Sequence, residues 1–125
     1  MRVAIIGSRG YNDFTEFEFI LNKFIEKHTN ISFVSGGAKG ADTLIEEYCK
    51  KYNFDIEIFK PDWSLGKHAG FLRNKTIWDN ADMGIAFWDG KSKGTKHSFD
   101  IAKNQNKTLY VFNYKTKKWT TIQGN

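Results

Sequence analysis

The sequence predicts an α/β fold: a three-layer sandwich with a mostly parallel five-stranded sheet and helices on both faces. Three observations carry that expectation. Short apolar runs alternate along the chain with stretches of helical periodicity, the pattern of βαβ units. The runs Val3–Ile6 and Met83–Trp88 read as strands buried on both sides, as central strands of a parallel sheet are. With 125 residues, 40% hydrophobic and 16% aromatic, the chain can build one core and is too short for two. One domain over residues 1–125 is expected, with its core at 2–112 and a tail at 113–125.

In chain order, Val3–Ile6 is a strand that ends at Gly7. Phe14, Phe17, Leu21, Phe24, Ile25 and His28 fit one helix face, with Asn12 or Asp13 as its cap. Ile31–Val34 is the second strand. Ala41, Leu44, Ile45, Tyr48, Cys49 and Tyr52 mark a second helix opening after Gly40. Phe54–Phe59 alternates apolar and charged residues, which predicts a half-covered strand near a sheet edge. Pro61-Asp62-Trp63 leads into a loop, and a third helix runs from about Lys67 to Asn80. Met83–Trp88 is the fourth strand, Gly94-Thr95 opens a fourth helix to about Asn104, and Leu109–Phe112 is the fifth strand. Trp119–Ile122 is a candidate edge strand in the tail.

Composition narrows the function. No apolar run approaches the roughly 20 residues of a membrane span. The N-terminus runs into a strand without the apolar stretch of a signal peptide, so a cytoplasmic protein is expected. Cys49 is unpaired and falls on an apolar helix face, the place of a buried, inert thiol. His28, His68 and His97 are scattered, and no metal is expected. Residues 1–59 carry seven basic and nine acidic side chains, residues 60–125 twelve and five. That excess of Lys is either a solvated face or an attraction for nucleotide phosphates or a nucleic-acid backbone.

The loops after the strands carry the chemistry. In open α/β sheets ligands bind beyond the carboxyl ends of the strands, at the point where strand order reverses. Ser35-Gly36-Gly37-Ala38-Lys39-Gly40-Ala41-Asp42 stands at a strand-to-helix turn. Its small residues bare backbone N–H groups beside a helix N-terminus, which is how a phosphate is cradled. The alternative is a tight turn that needs glycine for conformation alone. Asp42 either caps the helix or accepts from a ribose hydroxyl or base. Gly7-Ser8-Arg9 adds a hydroxyl and a bidentate cation. Lys67, Gly70, Arg73 and Asn74 either crowd the same rim or face solvent. Trp88-Asp89-Gly90, with Gly94 and Thr95 beyond, repeats the theme of strand, glycine loop and helix N-terminus; Trp88 is either core or a stacking surface for a base.

Together Gly7-Ser8-Arg9, the Ser35–Asp42 loop, Gly66-Lys67, Ala69-Gly70, Arg73-Asn74, Ala81-Asp82, Ala86–Gly90 and Gly94-Thr95 resemble the SLOG superfamily, and within it the branch of small bacterial and phage proteins related to YspA and YpsA. The resemblance covers about residues 2–112. It implies a Rossmann-like fold, a nucleotide-derived ligand and a homodimer, for which the helix from Phe14 to Phe24 would supply the apolar face. Other branches are the LOG phosphoribohydrolases and the single-strand DNA-binding DNA-processing protein A.

One departure bears on catalysis. LOG enzymes carry Pro-Gly-Gly-x-Gly-Thr-x-x-Glu, whose Glu serves glycosidic cleavage. Here Lys96, His97, Ser98 and Phe99 follow Gly94-Thr95, and the first acid is Asp100. Cleavage needs charge stabilisation at a developing oxocarbenium ion; Asp89, Asp42 and Asp100 are the replacement carboxylates, with Arg73 a further catalytic candidate, and spacing singles out none. The expected function is therefore binding of a nucleotide or derivative (ribose-phosphate, ADP-ribose or NAD-like) by a sensor, carrier or sequestering module. No cofactor is required, though a bound nucleotide or phosphate fits. The alternatives are a nucleotide N-glycosidase and a single-stranded nucleic-acid binder using Trp88, Tyr110, Tyr114 and Trp119.

Overall fold

A computed structural model describes residues 1–123. Its elements are β1 (Arg2–Gly7), α1 (Phe14–Glu26), β2 (Ser32–Ser35), α2 (Ala41–Tyr52), β3 (Ile56–Ile58), α3 (Ala69–Asp79), β4 (Met83–Trp88), α4 (Lys93–Asn104), β5 (Thr108–Asn113) and β6 (Lys118–Ile122). A single 3₁₀ turn, Trp63–Leu65, precedes α3.

The strands form one sheet in the order β3-β2-β1-β4-β5-β6. The first five run parallel, and β6 pairs antiparallel with β5, with Phe112 opposite Trp119. The sheet thus has six strands rather than five. The sixth comes from a tight hairpin: the Asn113 side chain accepts from the N–H groups of Lys115 and Thr116, and Lys117 turns the chain at φ 62°. Asn and a positive-φ residue are the local chemistry of such turns.

Alternation along each strand separates two cores. Val3, Ile5, Phe33, Ile85, Phe87 and Phe112 pack with Phe17 and Leu21 of α1 and Ile45 and Tyr48 of α2. Ala4, Ile6, Val34, Ala86, Leu109 and Val111 face the other way, against Ile77 and Trp78 of α3 and Ala102 of α4. Two helices on each face follow from right-handed crossovers leading outward from β1 in both directions. Asp13 caps α1, its carboxylate accepting from the Glu16 N–H at 3.0 Å. The short β3 is the sheet edge that the alternation at Phe54–Phe59 predicts. Cys49 is buried on α2, where burial pushes its thiol up to about 12.

The third helix starts at Ala69, two residues later than its periodicity predicts, because Gly66 at φ 86° breaks the chain direction and its carbonyl accepts from the Ala69 N–H. Among the described residues, no helix is long and apolar enough to cross a membrane. Among the described residues, no cluster of three or more His, Cys, Asp or Glu side chains could hold a metal ion.

Candidate functional site

The chain reverses its direction of travel between β1 and β4, and a recess of about 190 Å³ opens over their carboxyl ends. This is where an open α/β sheet leaves a crevice. Gly7 and Arg9 line it from the loop after β1, and Ala38 and Asp42 from the loop after β2. Lys67, Gly70, Arg73 and Asn74 come from the start of α3, and Ser92, Gly94, Thr95 and Ser98 from the start of α4. Four loops far apart in sequence therefore converge on one cavity.

Arg73 organises the wall between α3 and the β2 loop. Its Nη1 donates to the Gly36 carbonyl at 2.5 Å and its Nε to the Asn74 Oδ1 at 3.2 Å. Gly36 is glycine for this contact: a Cβ there would lie 2.4 Å from Nη1 and 2.8 Å from Cζ. Buried Asn74 passes the support on, its Nδ2 donating to the Gly94 carbonyl at 3.4 Å and lying 3.3 Å from the His97 Nδ1. The side chains of Arg73 and Asn74 thus turn inward on the helix, away from solvent.

Asp42 is the carboxylate of the recess and is 7% exposed. Its Oδ2 accepts from the Ala38 N–H at 3.0 Å, which pins the loop over α2. Burial raises the carboxyl above the usual carboxylate range, against the Ala38 N–H and the nearby Arg73, which pull it down. Desolvation acts in the opposite direction on Arg73, lowering its guanidinium, with Asp42 opposing and Arg9 adding to the fall. A raised native value means the folded protein holds more protons than the unfolded chain, so stability falls as pH rises through that window. Relative to Asp42→Asn, the wild-type protein is expected to gain thermal stability as pH drops from 7 towards about 4. Melting curves of the two at pH 7 and pH 4.5 check this, and a difference that does not change with pH contradicts it.

The remaining electrostatics favour an anion. Arg9, Lys67 and Arg73 line the recess against the one carboxylate of Asp42. Among the described residues, the four ion pairs are Arg2–Glu57, Lys51–Glu18, Lys75–Asp79 and Lys117–Glu16, and none involves these three cations. The N-termini of α2 and α3 carry no side-chain cap, so the positive dipole ends and the N–H groups of Ala41 and Asp42 in α2 and of Gly70 and Phe71 in α3 remain available, the Ala69 N–H being taken by Gly66. The start of α4 differs: Ser92 Oγ accepts from the Thr95 N–H at 3.4 Å and from the Thr95 hydroxyl at 3.2 Å.

The other sequence candidates lie outside the recess lining. Ser8 is buried, its hydroxyl accepting from the Asp89 N–H at 3.1 Å. Asp89 ties its own loop, accepting from the Lys91 and Ser92 N–H groups at 2.8 Å each. Burial works to raise that carboxyl, but these donors prevail and hold it below the usual range. Trp88 packs edge-on against Phe99 and donates to the Ser92 carbonyl at 3.1 Å. Ser35 is fully buried. Gly37 sits over Ile58 and Lys60, Gly40 over the backbone of Ser8 and Arg9, and Gly90 beside Asn113. Lys39 and Asp100 are exposed. Conversely, Ile6, Ile77, Ser92, Ser98, Trp63 and Phe71 line the recess without having been site candidates. Ile6 read as part of a buried strand, and the two serines carry no motif.

No curated protein matches the chain. Among solved structures, the fold is similar to that of DNA processing protein A from Helicobacter pylori, described for its single-stranded DNA binding mode, with a TM-score of 0.63 and 23% identity. The match covers 89% of this chain and 64% of that one, so the chain spans less than two thirds of its length. At that identity the likeness shows the fold alone. A family model matches residues 1–66, from β1 through the 3₁₀ turn that lines the recess, and the chain belongs to the YspA, cpYpsA-related SLOG family.

Proposed function

We propose that the chain binds a nucleotide or nucleotide derivative, of the ribose-phosphate, ADP-ribose or NAD type, and acts in the cytoplasm as a sensor, carrier or sequestering module. The observation that carries this reading is the recess at the strand-order reversal, where Arg9, Lys67 and half-buried Arg73 face one carboxylate and have no ion-pair partner among the described residues. A partly desolvated guanidinium with two exposed cations beside it, close to uncapped helix N-termini, favours a multiply charged anion. SLOG membership supports a nucleotide as the source of that anion.

Isothermal calorimetry and thermal shift against AMP, ADP, NAD, ADP-ribose and cyclic nucleotides test the reading. At least one is expected to bind in the micromolar range and to raise the melting temperature by mass action. A flat response to the whole panel sinks it.

Asp42 favours a second reading, cleavage of an N-glycosidic bond. A buried carboxyl raised in the recess suits an acid that protonates a leaving group. Release of free base from a bound nucleotide, abolished in Asp42→Asn, is its signature. Binding without turnover leaves the first reading alone.

A further inference from the structure

The recess is smaller than its proposed ligand. At about 190 Å³ it falls below the roughly 300–1,000 Å³ of pockets that enclose a drug-sized molecule, so part of a bound nucleotide must lie at the mouth. What stands there is aromatic: Trp63 and Phe71 both line the recess and remain 62% and 46% exposed. A Trp left this open, in a segment that also exposes Leu65 and Leu72, marks a binding surface more than a packing residue.

The fold holds the Trp63 backbone and the Phe71 ring. Trp63 opens the 3₁₀ turn, whose cap is Asp62, accepting from the Ser64 N–H at 3.1 Å and the Ser64 hydroxyl at 2.5 Å. The turn closes with the Gly66 N–H donating to the Trp63 carbonyl at 3.1 Å. Phe71 sits in the first turn of α3 and is braced by His97, ring centroids 4.5 Å apart and 62° between planes. Between them Gly70 keeps the helix start bare, with no atom within 4 Å of where its Cβ would stand.

Resting on the nucleotide reading above, we infer that Trp63 and Phe71 form a nucleobase subsite: the phosphates sit at Arg9 and Arg73 and the base stacks on the aromatic wall. The ligand is then a molecule with an aromatic base, and ribose phosphates that lack one are discriminated against. Stacking uses the π face that every base has, so the subsite selects for a base more than for its identity.

Affinities of AMP, NAD and ADP-ribose are compared with that of ribose 5-phosphate on the wild-type protein, Trp63→Ala and Trp63→Phe. Trp63 is exposed, so both variants are expected to fold. The best nucleotide is expected to bind the wild type at least fivefold more tightly than ribose 5-phosphate. Trp63→Ala should remove that advantage while leaving ribose 5-phosphate unchanged, and Trp63→Phe should keep most of it. Equal binding of ribose 5-phosphate and nucleotide to the wild type overturns the subsite, as does a Trp63→Ala variant that weakens both alike or neither. Failure of every phosphate ligand to bind removes the nucleotide reading itself, and the subsite with it.

Discussion

Gly40→Ala is expected to destabilise the protein by about 3–5 kcal/mol and to lower its melting temperature by on the order of 10 °C. Gly40 has φ 81° and ψ −130°, a region closed to residues with a Cβ. A Cβ there would also stand 2.2 Å from the Ser8 carbonyl oxygen and 2.9 Å from the Arg9 Cα, backbone atoms that cannot swing aside. Relief requires the β1 and β2 loops to separate, which moves Arg9 at the recess and disturbs the start of α2, where the Gly40 carbonyl accepts from Thr43 and Leu44. Gly94→Ala is the matched control. Its Cβ would meet nothing within 4 Å, and it lies inside α4. That variant is expected to be as stable as wild type, or more stable by up to about 1 kcal/mol. Differential scanning calorimetry separates the two, and a Gly40→Ala protein that melts with the wild type refutes the close packing of the loops.

The contrast between those glycines shows where sequence reasoning reaches and where it stops. In the sequence both belong to glycine-bearing stretches where a strand gives way to a helix, and both invite the reading of a phosphate cradle. Only the fold reveals that Gly40 lies against Ser8 and Arg9, some 30 residues earlier, and that Gly36 makes room for Arg73, 37 residues later. Periodicity locates strands and helices because burial of a face repeats along the chain. It therefore placed β1, β2, β4 and β5, the edge strand β3 and the turns from which Arg9, Asp42, Arg73 and Thr95 reach the recess. Contacts between loops leave no period. Asp89 looked like a replacement acid, yet it stands outside the recess lining and its Oδ1 serves Lys91 and Ser92. Trp88 looked like a stacking surface, yet it is turned onto Phe99. The more exposed of the two aromatics at the recess, Trp63, stands on a single turn too short to have a pattern, and the one local sign of it was a Trp two residues after a proline.

Arg73→Ala is expected to weaken nucleotide binding by about 10- to 100-fold while changing stability by only about 1 kcal/mol. A guanidinium offers five N–H donors, and Arg73 spends two of them, on Gly36 and Asn74. The other three remain for a ligand, in a side chain already oriented and half out of water, so a bound phosphate adds little further ordering or desolvation cost. Removing the guanidinium also takes away the positive charge that opposes the burial of Asp42, which drives that carboxyl further upward. Arg73→Lys tests the fork separately from the charge. Lysine keeps the cation but cannot hold Gly36 and a phosphate in one plane, so it should recover no more than a small part of the lost affinity. Titration of both variants with the best nucleotide of the panel decides the matter. If Arg73→Ala binds within twofold of wild type, the anion is held elsewhere, and the converging loops serve packing alone.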